Sequence, residues 1–432
     1  MAGPRQTLTG MRLRDLKSFS DSKSIKLRSL NLLIGANNAG KSTFLSAIEL
    51  FFRSMRGGGL GGPLAFSAMP SFTSFDSSLR RHWNRNSQRP SKILLNYEWS
   101  LMAKGAEFVR DYEFECASQG SDDTIVVSKA NYGLGPKSPP ISATLEINPE
   151  SGRVAYLLKS GKKEARAEDE WFHQLMPIDA MRLSGQREHL FYAGRITDLE
   201  VVNPYRPVPR SFYVLDDPNL ATEDRGILTY LIRLWASRDG EDKKVQQRIN
   251  ASLAKLGLTQ HFEVIQVSKR IGPKVVEIRV APTSSRQKVT IADAGFGLSQ
   301  FLPLAVYDAR LSEGTLIAYQ PEVHLHPFAQ SRLADVFVDS LSRGNQIFVE
   351  THSVDLILRL QAKIAEGSVK PEDVCVLCFE NNGGKSEVYQ MEFDDSGKPS
   401  KPWPDGFLDT SLKLARELTS ARIQRLQSSS GS

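Results

Sequence analysis

Between the apolar run Leu30-Asn-Leu-Leu-Ile34 and a segment, 43–53, in which Phe44, Leu45, Ile48, Phe51 and Phe52 recur at helical spacing, the sequence places Gly35-Ala-Asn-Asn-Ala-Gly-Lys-Ser42. No other stretch restricts the fold as much. Strand, glycine turn and helix in immediate succession satisfy G-x-x-x-x-G-K-[ST] in the context that gives the pattern meaning. The glycines let backbone N–H groups wrap a phosphate, Lys41 reaches the outer phosphate oxygens, and Ser42 stands at the positive end of the helix where it can ligate Mg²⁺. Gly35, Asn37, Asn38, Gly40, Lys41, Ser42 and Thr43 are therefore the expected nucleotide cradle, set against the plainer reading of a glycine turn that only joins two elements.

Composition narrows the setting. The 432 residues are 40% hydrophobic and 24% charged, which is ordinary for a globular chain of two or three lobes. No stretch reaches the roughly 18–20 uninterrupted apolar residues of a bilayer span. Met1-Ala-Gly-Pro-Arg5 lacks the apolar run of a secretion signal, so a cytoplasmic protein without a membrane partner is expected. Three cysteines are too few for a disulfide framework. Cys375 and Cys378 form a CxxC, but within Val374-Cys-Val-Leu-Cys-Phe379, an apolar run that reads as a buried strand, positions three apart face opposite ways, which argues against a metal. The 55 Lys and Arg against 49 Asp and Glu give a net charge of +6. That excess permits an acidic partner, DNA or RNA included, without requiring one.

Periodicity organises the remainder. Alternation over 11–19 and 24–28 predicts two half-buried strands ahead of the glycine turn. Arg56-Gly-Gly-Gly-Leu-Gly-Gly-Pro63 interrupts the pattern, and strands follow over 93–99, 107–114, 124–127 and 142–147, an antiparallel lobe with a Gly/Pro-rich loop at 133–140. Segments 227–235 and 245–256 have helical spacing, Gly257 ends the second, and 261–267 with 275–280 alternate as a hairpin. From Ile291 to Phe379 the order helix, strand, helix, strand, helix, strand argues for a parallel sheet covered on both faces. The expected division is 1–55 and 286–380 as two parts of one α/β core, 56–200 as a β-rich insertion, 201–285 as a helical lobe with a hairpin, and 381–432 as a C-terminal extension ending in an amphipathic helix over 411–426.

Three more constellations carry chemistry. Asp293-Ala-Gly-Phe-Gly-Leu-Ser-Gln300 puts Gly295, Gly297, Ser299 and Gln300 at a predicted helix start, either a turn with its cap or a second anion cradle, suited to the γ-phosphate of a nucleotide held by another subunit. Thr315-Leu-Ile-Ala-Tyr-Gln-Pro-Glu-Val-His-Leu-His-Pro327 and Ile347-Phe-Val-Glu-Thr-His-Ser353 place polar residues just past apolar strands, where open parallel sheets bind ligands. His324 and His326 lack further ligands at clear spacing and read as a structural turn.

Together these stretches resemble the ATPase heads of the RecF, SMC and OLD branch of the ABC superfamily. Phe393-Asp-Asp-Ser-Gly397 with Trp403-Pro-Asp-Gly-Phe407 is similar to a C-terminal extension of undefined function in one bacterial group of these ATPases. The likeness covers about the first 55 residues and most of 291–416. It implies an ABC-type P-loop head with ATP and Mg²⁺ held in a homodimer: Lys41 and Ser42 from one subunit, Ser299 and its neighbouring glycines from the other, and His352 as the switch histidine that senses the γ-phosphate. Closing on ATP and opening after hydrolysis is the implied output. Many relatives serve plasmid, phage or DNA-damage defence with a nuclease. Since about 50 residues follow Phe379, a nuclease or other effector is expected as a separate partner.

One departure stands out. The family strand ends Asp-Glu-Pro-Glu, its Asp holding Mg²⁺ through water and the next Glu activating the attacking water; here Tyr319 and Gln320 occupy those places. Tyrosine is a poor Mg²⁺ partner at neutral pH and glutamine cannot accept a proton, although glutamine at the second place is common in the group with this extension. The nearest replacements are Glu322 and Glu350, which with Gln320 and His352 make the expected catalytic set of a slow ATPase. Two other readings stand beside it, an ATP-held clamp that hardly hydrolyses and a RecF-type repair ATPase. Leu79-Arg-Arg-His-Trp-Asn-Arg-Asn-Ser-Gln-Arg-Pro90 offers arginines around Trp83 for nucleic acid, or simply a solvated basic loop. Gly185-Gln-Arg-Glu188 stands where the relatives place a Gly-Pro-Leu-Arg-like turn, which the resemblance implies is a further phosphate-proximal loop.

Overall fold

Leu30, Leu32, Leu33 and Ile34 are all fully buried, a pattern that only a strand covered on both sides satisfies. The computed structural model describes residues 5–56, 91–103, 106–119, 124–133, 140–147, 154–168, 172–173, 176–177, 198–204, 209–267, 274–281, 287–404, 406–408 and 417–420, with single positions 64, 66, 69, 71, 72, 74 and 78. The basic stretch 79–90, Gly185–Glu188 and all but four residues of the helix expected over 411–426 lie outside them.

From the amino end, β1 (Arg5–Leu16), β2 (Phe19–Asp21), β3 (Ile25–Lys26) and β4 (Leu30–Gly35) lead into α1 (Lys41–Arg56). Next come β5 (Ile93–Ala103), β6 (Ala106–Gln119), β7 (Thr124–Gly133), β8 (Ile141–Ile147), β9 (Val154–Ser160) and β10 (Lys163–Glu168). The short β11 (Phe172–His173), β12 (Met176–Pro177), β13 (Leu199–Val202) and β14 (Tyr213–Val214) precede α2 (Thr222–Ala236) and α3 (Gly240–Lys255). After β15 (His261–Gln266), β16 (Val275–Ala281) and β17 (Val289–Thr290), helix and strand alternate: α4 (Phe296–Arg310), β18 (Thr315–Tyr319), α5 (Pro327–Ser342), β19 (Gln346–Glu350), α6 (Val354–Ala365), β20 (Val374–Asn382) and β21 (Lys385–Met391).

The core sheet runs β13-β18-β19-β4-β20-β21 and is parallel except for the β20–β21 hairpin. Side chains alternate across it with period two. Leu30, Leu32 and Ile34 join Leu316, Ala318, Ile347, Val349, Val376 and Cys378 on the face covered by α4, α5 and α6. Leu33, Ile317, Phe348, Cys375, Leu377 and Phe379 meet α1 on the other. Cys375 and Cys378 thus lie on opposite faces, as their spacing requires. Register aligns Gly35 with Phe379, Leu33 with Glu350, and Tyr319 with Glu350, so the loops leaving these strand ends gather along one rim.

A second, antiparallel sheet runs β10-β9-β8-β7-β6-β5-β1-β2, with β3 on β1. β1 and β5, on either side of residue 55, are hydrogen-bonded neighbours. The strand expected over 11–19 is broken because Asp15 and Lys17 adopt positive φ (55° and 49°) and turn the chain back, so that Leu16 pairs with Phe19. The lobe packs on α1: Phe51 lies 4.9 Å from Tyr97 between ring centroids, and the Tyr97 hydroxyl donates to the Ala47 carbonyl at 2.9 Å. Burying each such ring contributes roughly 1.5–3 kcal/mol. Where the lobe meets the core sheet, the Gln346 side chain accepts from Leu8 N–H (3.0 Å) and donates to Leu8 C=O (2.8 Å).

The carboxyl-terminal segment is fastened to the core. After β21, Phe393 pairs with Pro399, Gln361 of α6 donates to Gly397 C=O at 2.7 Å, and Trp403 stacks on Phe407 at 5.8 Å. At the centre, Gly35 has φ 140°, and a Cβ there would lie 2.1 Å from the Phe379 carbonyl oxygen. Gly35→Ala should cost about 2–5 kcal/mol, since it adds a clash to the strain of the backbone. Gly161→Ala, where φ is 59° and nothing lies within 4 Å, should cost only about 1–2 kcal/mol. Denaturant unfolding of the two variants checks this; equal losses would show that the Gly35–Phe379 approach does not govern stability.

Candidate nucleotide site

The loop between β4 and α1 turns on three residues of positive φ, Gly35 (140°), Asn38 (61°) and Gly40 (101°). Such turns aim successive N–H groups into one concavity. Ala36, Asn37 and Asn38 are exposed and Ala39 is buried beneath them. A Cβ on Gly40 would lie 2.6 Å from Ser386 Oγ and 2.8 Å from Phe19 Cζ, so glycine is what lets the loop lie this close to β2 and β21. Asn381 Nδ2, from the end of β20, donates to Asn38 C=O at 3.0 Å and braces the loop from the side.

Lys41 is buried, and its Nζ donates to the carbonyls of Gly35 (3.0 Å) and Ala36 (2.8 Å). Burial lowers its pKa, and Glu350, with Oε1 at 3.9 Å, opposes that shift. Ser42 Oγ donates to the other oxygen, Glu350 Oε2, at 2.9 Å. Burial likewise pushes the Glu350 carboxyl above the usual range, against the pull of Ser42 and Lys41. A carboxylate, an ammonium and a hydroxyl thus meet at the ends of adjacent strands. Thr43 follows, half-buried, in the first turn of α1.

Tyr319, at the end of β18, reaches α1. Its hydroxyl lies 3.5 Å from Glu49 Oε2 and bonds to Ser46, both on α1, and burial raises its pKa. Gln320 has φ 45°, and its N–H donates to Glu350 C=O at 2.8 Å. Glu322 is buried, with Oε1 accepting the His352 N–H at 2.6 Å. The imidazole of His352 reaches the surface, and partial burial with the charge of Lys41 holds its pKa below the usual histidine value. Of the four expected catalytic residues, Glu350 meets both Lys41 and Ser42 through its side chain. Glu322 and Gln320 are joined to the backbones of His352 and Glu350.

The loop 295–300 stands apart. Gly295 (φ 87°) opens α4, Phe296 is exposed, Ser299 Oγ donates to Phe296 C=O at 2.8 Å, and Gln300 is buried. A Cβ on Gly297 would lie 2.9 Å from His324 C=O, and the Phe296 ring meets His324 edge-on at 4.8 Å. The histidines after β18 serve this loop and the next helix, for His326 Nδ1 accepts Phe328 N–H at 3.3 Å and caps α5. Ser299 lines a small pocket with Tyr213, Asp224 and Leu302, whereas the cleft of about 790 Å³ at the glycine loop is lined by Gly35, Ala36, His352, Asn381, Trp403 and Phe407 among others.

Sequence reasoning missed Glu49, Asn381 and the aromatic residues of the extension. Glu49 lies two helical turns beyond Ser42 and could have been paired with an unusual tyrosine. The others come from 381–407, which no periodicity ties to the glycine loop.

A phosphate-cradling loop at the rim of a parallel sheet, with an antiparallel lobe packed on the helix that follows it, defines a P-loop ATPase head of the ABC type. The chain matches the family described as AAA ATPase domain over residues 8–163 and 237–357 and belongs to it. Residues 369–418 match a family described as a protein of unknown function (DUF3696). No curated protein matches the sequence. Among solved structures, an SMC head bound to the C-terminal winged-helix domain of ScpA is 14% identical with a TM-score of 0.50, over 89% of this chain and 98% of that one. An SMC head with an extended coiled coil, bound to the C-terminal domain of ScpA, from Pyrococcus furiosus is 12% identical with a TM-score of 0.47, over 96% and 100%. The protein is an AAA-family ATPase domain protein, and its fold is that of the SMC head.

Because Lys41 helps to hold His352 neutral, the imidazole should titrate below pH 6.5 in an NMR pH series, and Lys41→Ala should raise that midpoint. A midpoint unmoved by the substitution would mean that the two groups do not sense each other.

Proposed function

We propose that this protein is a slow, Mg²⁺-dependent cytoplasmic ATPase that dimerises on ATP and controls a separate nucleic-acid-directed effector, a nuclease among the candidates, in anti-phage or plasmid defence. The observation that carries the catalytic part is the meeting of Lys41 and Ser42 at Glu350, one within ion-pair reach of its carboxylate and the other hydrogen-bonded to it. On this reading a triphosphate lies in the loop 35–43, and Lys41 turns from the Gly35 and Ala36 carbonyls to the outer phosphates. Ser42 presents a hard oxygen donor at the helix start, which suits Mg²⁺. The ion, when bound, neutralises phosphate charge.

Glu350 takes the part that the sequence at 319–320 leaves open. Its carboxylate orients the attacking water and accepts its proton as the water oxygen bonds to the γ-phosphorus and the bond to the β–γ bridging oxygen breaks. A carboxyl raised by burial is better matched to that task near neutral pH. Gln320 can hydrogen-bond the water without taking its proton. Glu322 acts by holding the His352 backbone, which sets the imidazole against the terminal phosphate.

Dimerisation is supported by Gly295 and Phe296, which are exposed, and by Ser299, which lines a pocket other than the cleft at its own P-loop. A second copy would bring Ser299 to the γ-phosphate. The net charge of +6 is compatible with DNA or RNA as the partner or its target. A second reading, an ATP-held clamp, is favoured by Tyr319, whose hydroxyl is turned to Ser46 and Glu49.

Phosphate release from Mg²⁺-ATP should exceed that of Lys41→Ala. Glu350→Gln should lower kcat by about 100-fold or more while ATP binding stays within a few-fold. Turnover unchanged in Glu350→Gln would remove its assignment, and wild-type turnover at the Lys41→Ala level would favour the clamp.

A further inference from the structure

The cleft beside the P-loop is walled on one side by a segment with no assigned role. Pro402, Trp403, Pro404, Gly406 and Phe407 face it together with Tyr389 of β21, across from Gly35, Ala36 and His352. Its volume of about 790 Å³ is within the range of small-molecule sites. The position along the nucleotide follows from Lys41. That amine, which in a P-loop meets the β and γ phosphates, points at the Gly35 and Ala36 carbonyls, the same two residues that line the cleft. His352, whose imidazole feels the charge of Lys41, lines it as well. The cleft therefore opens at the γ-phosphate end of the cradle.

The wall is held there by bonds on several sides. Trp403 stacks on Phe407 at 5.8 Å and meets Phe393 at 6.3 Å, and both Trp403 and Phe407 pack against the apolar layer beneath α4, α5 and α6. Gly397 approaches α6 so closely that a Cβ would lie 2.4 Å from Gln361 C=O. Asn381 bonds the carbonyl of Asn38, inside the cradle itself. A single apolar layer thus links the extension to α6, the helix that begins just after His352.

We propose that the C-terminal extension is the γ-phosphate-side wall of the nucleotide cleft, with Trp403 and Asn381 as specificity-determining residues that favour a nucleoside triphosphate over the diphosphate. This rests on the nucleotide reading of the site. Asn381 fixes the loop backbone that surrounds the outer phosphates. Trp403 excludes water from the cleft they enter, which strengthens every charge interaction inside.

The test is titration of the full-length chain with ATP and with ADP, for the wild type and for Trp403→Ala, Trp403→Phe, Asn381→Ala and Lys41→Ala. Trp403→Ala and Asn381→Ala should each weaken ATP binding by about tenfold and ADP binding by less than twofold, and Trp403→Phe should behave as the wild type. ATP should also change the fluorescence of the wild type by a component missing in Trp403→Phe, and ADP should not. Asn381 is exposed, so its substitution keeps the test valid if Trp403→Ala fails to fold. Equal losses for ATP and ADP, or none for either, would overturn the proposal while leaving the P-loop site intact. A wild type that binds neither nucleotide, like Lys41→Ala, would overturn the underlying reading as well.

Discussion

A buried ammonium group organises this molecule. Lys41 lies at the first turn of α1, where the helix end is already positive, and nearly all of its side chain is out of water. An isolated charge in such a place is costly. It is compensated by two carbonyls of its own loop and, at 3.9 Å, by Glu350 on the next strand. Each compensation demands something of the fold. The carbonyls require a loop that doubles back through positive φ, and the carboxylate requires β19 to lie beside β4 in parallel register. Gly35, pressed against the Phe379 carbonyl, requires β20 on the other side.

Those demands explain what could be read from the residues and what could not. The β4–loop–α1 unit, the helix–strand alternation after Ile291 and the hairpin of β15 and β16 were legible because each is written in local periodicity. Local geometry decides them. The carboxylate that meets Ser42 was legible only as one of two candidates, since Glu322 and Glu350 are both acidic and both follow apolar strands. Register chose between them: Glu350 ends β19 next to β4, while Glu322 stands three residues beyond β18 and turns to the His352 amide. Tyr319 was legible as a departure from the family pattern. Its attachment to Glu49 and Ser46 was not, because that contact spans some 270 residues of chain.

The extension shows the same limit more sharply. Its aromatic residues have no spacing that names a partner, and their place beside the P-loop follows from the turn at Gly383 and Gly384 that sends β21 back along β20. The loop 295–300 is the opposite case. Its glycines were legible as a helix start, and the structure adds that Gly297 is needed because the backbone after β18 passes within 2.9 Å of where a side chain would begin.

The paired bonds between Gln346 and Leu8 have a mechanical meaning. A primary amide that both accepts from the N–H and donates to the C=O of one residue behaves as a short piece of strand, so the antiparallel lobe is hydrogen-bonded to the core sheet although their backbones do not pair at that point. Gln346 begins β19, and Glu350 ends it four residues later. Sliding the lobe along the core would break two buried hydrogen bonds, each worth roughly 1–3 kcal/mol when left unmade. A side chain at one end of a five-residue strand therefore keys the lobe to the position of the carboxylate at the other.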